Sequence, residues 1–448
     1  MIKRKIYSEL EHFYASSNKA LLLTGARQTG KTYSIRRFGE AHFESFIEIN
    51  FIESHQYANV LGKAVNAQDL LLKLSTLTNK SFIPGKTLIF FDEVQECPDI
   101  VTMIKFLVEE GSYRYILSGS LLGGYLNDLR SVPVGYMDVM DMYPLDFEEF
   151  ALAVGIPETV ISKIEESYTN HTPVDDFLHK RLMDVFRLYL VVGGMPAAVQ
   201  KYLDTNNLQL VIAEQRAIVR MYHQDIAKYD KANKLYIAEI FDRIPAELNA
   251  KNKRFILKNL NENMKFARYE NSFLWLKDAG VALPTYNVEE PKAPLLLAST
   301  RNLFKLFLSD IGLLACLYAD GIQANLLAGD SGINFGAIYE NVVAQELHDH
   351  GFPLYYYNNK RQGELDFVVE HKGKALPIEV KSGKNYERHR ALANIMMSST
   401  YAIEEAYVLC NDNVSVQGKV IYLPIYMLMF LKHTETAPLY YKLDLTGL

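Results

Sequence analysis

The sequence predicts a protein of the α/β class, built from two α/β units with a helical stretch between them. Over about residues 20–150, short apolar runs alternate with longer amphipathic segments, as in a parallel sheet whose strands are buried on both faces. Helical spacing replaces the apolar runs over residues 157–229, and a second, smaller set of strands begins after residue 334. A chain of 448 residues is long enough for roughly two to four such domains.

The individual elements follow from local pattern. Apolar runs bounded by turns predict five strands in the first unit: Leu21–Leu23, Phe46–Asn50, Leu88–Phe91, Tyr115–Leu117 and Met137–Met140. Residues 231–308 then show a helix, a short helix and a helix, followed by the extended runs VALPTYNV and KLFLS. Three helices followed by a two-stranded ribbon is the order of a winged helix. The last unit begins with a helix at Gly336–Asp349 and continues with strands in YYYNN, ELDFVVE, PIEVKSG and EAYVLC.

Composition and charge exclude some classes of protein. With 49% hydrophobic residues, 22% charged residues and a net charge of -6, the chain is not a wholly basic nucleic-acid coat, although a local basic patch is compatible. Cys97, Cys316 and Cys410 lack metal-ligand spacing, which indicates reduced thiols in a cytosolic compartment. The basic N-terminus lacks the apolar stretch of a signal peptide. The longest apolar run, residues 421–431, is shorter than the ~20 residues that span a bilayer. We therefore expect a cytoplasmic protein without a membrane partner.

A glycine-framed loop, GARQTGKT at residues 25–32, matches every fixed position of G-x-x-x-x-G-K-[ST]. An apolar strand precedes it and a helical segment follows it, a context that a chance glycine-rich turn lacks. Backbone N–H groups of such a loop close around phosphate oxygens, while Lys31 bridges the β- and γ-phosphates and Thr32 offers its hydroxyl to Mg²⁺. The cofactor-binding residues expected here are Gly25, Gln28, Thr29, Gly30, Lys31 and Thr32.

Two further strands supply the second half of a nucleotide site. The strand TLIFFD ends at Asp92, which is placed to hold the water shell of Mg²⁺, and Glu93 follows, placed to polarise an attacking water. After the next strand, Ser118 is either a sensor of the γ-phosphate or part of a simple turn. Because the guanine-reading motif N-K-x-D does not occur, ATP is preferred to GTP. The sequence thus predicts an ATPase with Lys31 and Glu93 as catalytic residues.

These motifs, with YPLDFEEF (residues 143–150), YLVVGGMPAAV (residues 189–199) and FKLFLSDIGLL (residues 304–314), resemble a widespread family. It comprises bacterial and archaeal P-loop ATPases of the AAA-related kind whose C-terminal half is catalogued as a domain of unknown function. The resemblance covers nearly the whole chain. It implies an ATPase core, a helical lid, a winged-helix segment and a C-terminal fold similar to restriction endonucleases.

The expected domains are a P-loop ATPase core at residues 1–155, a helical lid at 156–230, a winged-helix segment at 231–315 and a restriction-endonuclease-like domain at 316–448. Many relatives carry a basic residue after the glycine that precedes YPL, whereas this chain has Tyr136. An arginine finger is therefore not assigned, and Arg130 is the nearby candidate.

The last unit places charged residues on otherwise apolar strands. Residues 363–383 predict a β-hairpin with Asp366 on its first strand and Glu379 and Lys381 on one face of its second. Glu340 lies on the preceding helix. The order helix Glu, strand Asp, strand Glu-x-Lys resembles the active site of restriction-endonuclease-like nucleases.

The chemistry suits phosphodiester cleavage. Asp366 and Glu379 offer the oxygen ligands that Mg²⁺ prefers, Glu340 adds to the metal shell, and Lys381 steers the attacking water or neutralises the phosphate oxygen. Two alternatives stay open: the four residues form an ordinary polar face, or the nuclease-like fold is present and only binds.

A basic cluster points to a nucleic-acid partner. Its residues are Lys251, Lys253, Arg254, Lys258, Lys265 and Arg268. Beside a winged helix it contacts phosphates or forms a solvated face. Three functions remain: an ATPase coupled to a DNA-directed nuclease, a switch-type signalling ATPase, and a DNA-binding regulator with an inert C-terminal domain. ATP and Mg²⁺ are the expected cofactors, and DNA and a second copy of the chain are the expected partners.

Overall fold

A computed structural model describes residues 2–119, 133, 135–229, 234–250, 253–255, 266–318, 321–329 and 335–433. The described helices are α1 (Ile6–Ser16), α2 (Lys31–His42), α3 (His55–Leu61), α4 (Ala67–Leu77), α5 (Pro98–Glu110), α6 (Phe147–Ala153), α7 (Glu158–Asn170), α8 (Asp176–Val192), α9 (Pro196–Thr205), α10 (Leu208–Tyr229), α11 (Lys234–Asn249), α12 (Phe266–Asp278), α13 (Ile311–Leu317), α14 (Ile322–Ala328), α15 (Gly336–Asp349) and α16 (Arg390–Met396). The described strands are β1 (Ala20–Thr24), β2 (Ser45–Asn50), β3 (Thr87–Asp92), β4 (Arg114–Ser118), β5 (Met137–Asp141), β6 (Ala282–Val288), β7 (Ser299–Leu308), β8 (Tyr355–Asn359), β9 (Gly363–His371), β10 (Lys374–Val380), β11 (Ala406–Cys410), β12 (Ser415–Gln417) and β13 (Val420–Pro424).

The first sheet is parallel and has the order β2-β3-β4-β1-β5. Its strands include the five predicted apolar runs. Leu22 packs into the core on one face of the sheet, while Leu21 and Leu23 pack into the core on the other. Both faces are therefore covered, which confirms the predicted buried parallel sheet. The carboxyl ends of β1, β3 and β4 lie at one edge, where the predicted nucleotide residues begin.

The second sheet has eight strands in the order β12-β13-β11-β10-β9-β8-β6-β7. The ribbon β6–β7 belongs to it because β6 pairs in parallel with β8, with Tyr286 opposite Tyr355. The sheet thus runs across the predicted boundary between residues 315 and 316. The short middle helix expected for a winged helix would lie between α11 and α12, where residues 251–252 and 256–265 are outside the described residues. The winged helix therefore stays a prediction.

Two local predictions can be compared with this structure. The β9–β10 hairpin turns at His371–Lys374 as predicted, with positive φ angles of 51° at Lys372 and 75° at Gly373, as in a type I′ turn. The sequence also predicts that Phe273, Leu274 and Leu276 form the core face of the helix that is α12 here. That prediction was wrong for Leu274, which is 42% exposed. Phe273 and Leu276, three positions apart, define the buried stripe, and Leu274 lies outside it.

A buried carboxylate joins the turn after α8 to the start of α13. Asp310 is fully buried, caps α13 by accepting the N–H of Leu313 at 2.9 Å, and accepts the N–H of Gly194 at 2.6 Å. Burial raises the pKa of Asp310 to about 6, although its backbone donors oppose that shift. The two stretches that carried the family resemblance, GGMP and SDIGLL, therefore meet at one side chain.

A second buried polar junction connects α15 to the first unit. Glu346 accepts the N–H of Phe147 at 2.8 Å, and the hydroxyl of Tyr189 approaches the same carboxylate oxygen at 3.4 Å. On the other side of α6, Arg4 donates to Glu149 at 3.1 Å, with both side chains almost fully buried. Buried polar groups of this kind require partners, so α6 is held between the N-terminal segment and α15.

Among the helices that the structure describes, none alone is both long and apolar enough to cross a membrane, and the bent pair α8 and α9 passes that test only when the two are combined. The three cysteines are buried and free of disulfides.

Gly194→Ala should destabilise the protein by about 2–3 kcal/mol or more, because a Cβ at this position would lie 2.0 Å from the carbonyl oxygen of Leu145. Urea unfolding would measure the loss. Gly383→Ala is the matched control, since its Cβ would meet no atom within 4 Å. Equal stability of the two variants would contradict this account of the GGMP turn.

Candidate functional site

The loop between β1 and α2 contains the predicted phosphate-binding residues, Gly25, Gln28, Thr29, Gly30, Lys31 and Thr32. Gly30 has a φ of 95° and directly precedes α2, so the free N–H groups of the first helical turn border the loop. The Lys31 ammonium donates to the carbonyl oxygens of Gly25 and Ala26 at 2.8 and 2.7 Å. Burial lowers the pKa of Lys31 to about 8. A cation and a helix N-terminus thus border the same loop, the arrangement that suits a polyphosphate.

Asp92 lies at the end of β3 and collects uncharged donors. Thr32 donates to its two carboxylate oxygens at 3.1 and 3.3 Å, Asn50 donates at 2.9 Å, and Ser118 donates as well. Burial raises the pKa of Asp92. A hydroxyl and a carboxylate side by side are hard oxygen ligands, so this donor set fits Mg²⁺. Ser118 therefore contacts Asp92 directly. Asn50, at the end of β2, is a further member of this group that the sequence pattern did not predict.

Glu93 has a left-handed backbone with φ of 57°, which costs a non-glycine residue on the order of 1 kcal/mol or more. Gln95 donates to its carboxylate at 2.5 Å. The strained backbone and this hydrogen bond fix the position of the Glu93 carboxylate, next in sequence to Asp92. A general base requires such a fixed position.

A cavity of about 470 Å³ adjoins the phosphate loop at Gly30. It is lined by Ile2, Arg4, Tyr7, Gly30, Tyr33, Ser34, Leu145, Pro196, Ala197 and Gln200. Arg4 also donates to the carbonyl oxygens of Thr29 and Tyr143, at 3.2 and 2.7 Å. The cavity therefore combines the N-terminal segment, the loop and the GGMP turn. In the sequence, that turn contributes only to the family resemblance.

The outer side of the loop contacts later parts of the chain. Arg27 donates to Asp225 of α10 at 2.8 Å, and the hydroxyl of Tyr222 donates to the carbonyl of Arg27 at 3.1 Å. Gly280, between α12 and β6, approaches so closely that a Cβ there would lie 3.0 Å from the backbone nitrogen of Ala26. The loop is therefore in direct contact with α10 and with the segment that leads into β6.

The predicted C-terminal residues lie around the β9–β10 hairpin. Lys381 contacts Glu379 at 2.6 Å, and Asp366 accepts the N–H of Val380 at 2.8 Å. The other carboxylate oxygen of Glu379 is buried and has no hydrogen-bond partner within the described part of the chain. Burial, together with Asp366, raises the pKa of Glu379 to about 8. This unpartnered oxygen and the Asp366 carboxylate form a donor set that fits one divalent cation.

Glu340 on α15 is held differently, by lysines. Lys253 contacts one of its carboxylate oxygens, and Lys305 lies 3.5 Å from the other. Lys305 also contacts Glu364 at 2.7 Å. Over the described residues, no group of three or more histidine, cysteine, aspartate or glutamate side chains is arranged to hold a metal ion. The inclusion of Glu340 among the metal ligands stays a prediction, and Lys253, Lys305 and Glu364 are additions that only the tertiary structure reveals.

Several predicted residues cannot be placed. Arg130, Lys251, Lys258 and Lys265 lie outside the described residues, and the side chain of Arg268 is likewise not described.

Three family models match parts of the chain. An AAA domain matches residues 17–151, a domain of unknown function (DUF8612) matches residues 183–325, and another domain of unknown function (DUF4143) matches residues 335–428. No curated protein matches the chain.

Solved structures give remote similarities. A Walker-type ATPase of Pyrococcus abyssi is 14% identical, with 71% of this chain and 96% of that chain covered and a TM-score of 0.42. The ORC1 protein of Aeropyrum pernix, solved in complex with DNA, is 14% identical, with coverage of 74% and 93% and a TM-score of 0.26. The Cdc6p protein of Pyrobaculum aerophilum is 12% identical, with coverage of 72% and 93% and a TM-score of 0.24.

The AAA match and the loop geometry agree. The AAA domain match covers residues 17–151, which confirms the predicted AAA-related P-loop fold class for this region.

Lys31→Ala should weaken ATP binding by at least about 100-fold, because charge-assisted contacts to two phosphates are lost. Fluorescent-nucleotide titration would measure the change. Lys19→Ala, which removes a half-exposed lysine paired with Asp138 in the same domain, is the control and should bind normally. Retained affinity in Lys31→Ala would show that the nucleotide binds elsewhere.

Proposed function

We propose that the protein binds and hydrolyses ATP at this loop, and that its nucleotide state acts on a C-terminal domain directed at nucleic acid. The observation that carries the first part is the contact of Thr32 with Asp92 beside the Lys31 ammonium. Lys31 and Thr32 begin the helix α2, which follows β1, and Asp92 ends β3. The three groups lie at the edge of a parallel sheet, where nucleotides bind in such folds.

In this proposal, each group of the site has a distinct task. The 470 Å³ cavity holds the base and ribose beside Pro196, and the loop holds the phosphates. When bound, Mg²⁺ would neutralise phosphate charge next to Thr32 and Asp92. The Lys31 ammonium stabilises negative charge on the γ-phosphate oxygens, and Glu93 accepts a proton from the attacking water.

The domain assignments remain proposals as well. We propose an ATPase core at residues 1–155, a helical lid at 156–230, a winged-helix segment at 231–315 and a restriction-endonuclease-like domain at 316–448. The order of α11, α12 and the β6–β7 ribbon supports the third, and the mixed sheet beside α15 supports the fourth. Because the ribbon pairs with β8, the last two segments would form one continuous body.

Contacts on the loop support coupling between the two ends of the chain. Arg27 pairs with Asp225 on α10, and Gly280 packs against Ala26 just before β6 enters the large sheet. A change in the loop backbone on phosphate binding would therefore displace the start of β6. Through β6 the movement reaches β8, which pairs with β9, the strand of Asp366.

We propose that Asp366, Glu379 and Lys381 form a Mg²⁺-dependent nuclease site that cleaves DNA. The unpartnered buried oxygen of Glu379 supports this, because a buried carboxylate oxygen needs a proton, a donor or a cation. Lys381 would neutralise charge on the phosphate oxygen. A bound Mg²⁺ would lower the pKa of its water and polarise the phosphate.

A second function is favoured by a different observation. Glu340 is already neutralised by Lys253 and Lys305, as in a polar site that needs no metal. In that case the C-terminal domain binds without cutting, and the protein is a switch-type ATPase or a DNA-binding regulator.

Glu93→Gln should bind ATP normally and lower its turnover by at least about 100-fold, because the amide cannot accept the proton from water. Phosphate release and nucleotide affinity would be measured together. Glu53→Gln, which changes an exposed acid of the same domain, should turn over at the normal rate. Undiminished turnover in Glu93→Gln would assign the base to another group.

The same variant tests the coupling. With ATP bound and not hydrolysed, amide hydrogen exchange should change over residues 222–226 and 279–283 relative to the nucleotide-free protein. Asp225→Asn in the Glu93→Gln background should reduce the change over residues 222–226. Identical exchange in both nucleotide states would contradict the proposed coupling between the phosphate loop and the rest of the chain.

Asp366→Ala should abolish DNA cleavage and remove the Mn²⁺ bound at the C-terminal site, measured by calorimetry. ATP turnover should stay intact because the two sites lie in different parts of the chain. Glu404→Ala, an exposed acid near β11, is the control and should leave both unchanged. If neither linear, circular nor single-stranded DNA is cut with Mg²⁺ or Mn²⁺, and no cation binding is lost in Asp366→Ala, the switch function replaces the nuclease.

A further inference from the structure

Lys305 lies in the middle of β7, in the stretch FKLFLS, and its side chain is fully buried. Its neighbours along the strand, Phe304 and Leu306, are also buried. A lysine in such a strand is rarely tolerated unless its charge is paired, because an uncompensated buried ammonium is very costly. Hydrophobic packing alone therefore does not account for a lysine at position 305, and its ammonium must be paired with negative charge.

Two carboxylates supply the pairing. Lys305 lies 2.7 Å from Glu364 and 3.5 Å from Glu340, and its ammonium is 5.0 Å from the ring centre of Tyr356. Lys253 adds a second ammonium contact to Glu340. Both oxygens of Glu340 thus already face a positive charge, and a divalent cation placed on them would be repelled by the two lysines.

The other carboxylates of the cluster are in a different state. Glu379 has one buried oxygen without a partner in the described residues, and Asp366 uses one oxygen on the N–H of Val380. The ion-pair partner of Glu379 is Lys381, which contacts its other carboxylate oxygen. The cluster therefore has two parts. Glu340 and Glu364 are paired with lysines, whereas Asp366 and Glu379 keep carboxylate oxygens available to a cation.

We propose that Lys305 is a positioning residue that takes the place of a second divalent cation, so that the C-terminal site binds a single cation on Asp366 and Glu379. The inference rests on the proposed nuclease-type site and specifies how its charge is arranged. In a site with two metals, each metal stabilises one of the oxygens of the reacting phosphate. Here a fixed ammonium, brought by β7 from outside the hairpin, would hold Glu340 in place without exchanging with solvent.

The test counts cations and does not depend on cleavage. Mn²⁺ is titrated into the full-length, nucleotide-free protein, and binding is followed by calorimetry and by electron paramagnetic resonance. The number bound at the C-terminal site is the number in the natural protein minus the number in Asp366→Ala, which cancels any Mn²⁺ at Asp92. We expect a difference of one.

Lys305→Met removes the charge and nearly preserves the volume. It frees one oxygen of Glu340 and one of Glu364, while Lys253 still contacts the other oxygen of Glu340, and we expect the count to rise to two. Lys305→Met combined with Glu340→Gln should return the count to one. Lys305→Arg keeps the positive charge and should also bind one. ATP affinity and thermal unfolding report whether each variant is folded.

The outcomes separate the two proposals. A difference of two in the natural protein, or a count that stays at one in folded Lys305→Met, overturns the role of Lys305 and leaves the nuclease site standing. A difference of zero in the natural protein overturns the metal site itself. If Lys305→Met does not fold, the count in the natural protein and in Lys305→Arg decides: one in both supports the inference, and two in either overturns it.

Discussion

The architecture depends on one buried carboxylate, that of Asp310. It has no exposure to solvent, so its charge is tolerable only because backbone N–H groups of Gly194 and Leu313 point at it. That requirement brings the turn after α8 against the start of α13, at a distance where only glycines fit. The GGMP turn then places Pro196 at the cavity beside the phosphate loop. On the other side of Asp310, β7 carries Lys305 into the C-terminal cluster.

The two acidic sites handle buried charge in opposite ways. Asp92 is surrounded by uncharged donors, from Thr32, Ser118 and Asn50, which leave its negative charge available to a cation. Glu340 is surrounded by ammonium groups, which cancel its charge. The first arrangement suits a cation that binds and dissociates together with a nucleotide. The second suits a structural charge, and it is the basis for our proposal that only Asp366 and Glu379 hold a cation.

One helix spans the distance between the C-terminal cluster and the first unit. Glu340 and Glu346 are six positions apart on α15, about 9 Å along the helix axis. Glu346 accepts the N–H of Phe147 in α6, and Glu149 of the same helix pairs with Arg4, which donates to the loop carbonyl of Thr29. Direct contacts thus connect the cluster to the phosphate loop by a second route, besides the one through Gly280 and β6.

The sequence by itself determined the strands of the first sheet, the phosphate loop, the carboxylates at the end of β3 and the hairpin turn at residues 371–374. All of these features depend on residues within a few positions of one another in the sequence. Apolar runs, glycines and turn residues predict such local geometry directly. The tertiary structure alone decided that the β6–β7 ribbon joins the second sheet, that Arg27 meets Asp225, and that Lys305 neutralises Glu340. These contacts join residues far apart in the chain, and in each case both partners look ordinary in the sequence. A lysine on an apolar strand acquires its role only when folding buries it beside a carboxylate, because only burial makes the pairing of its charge compulsory.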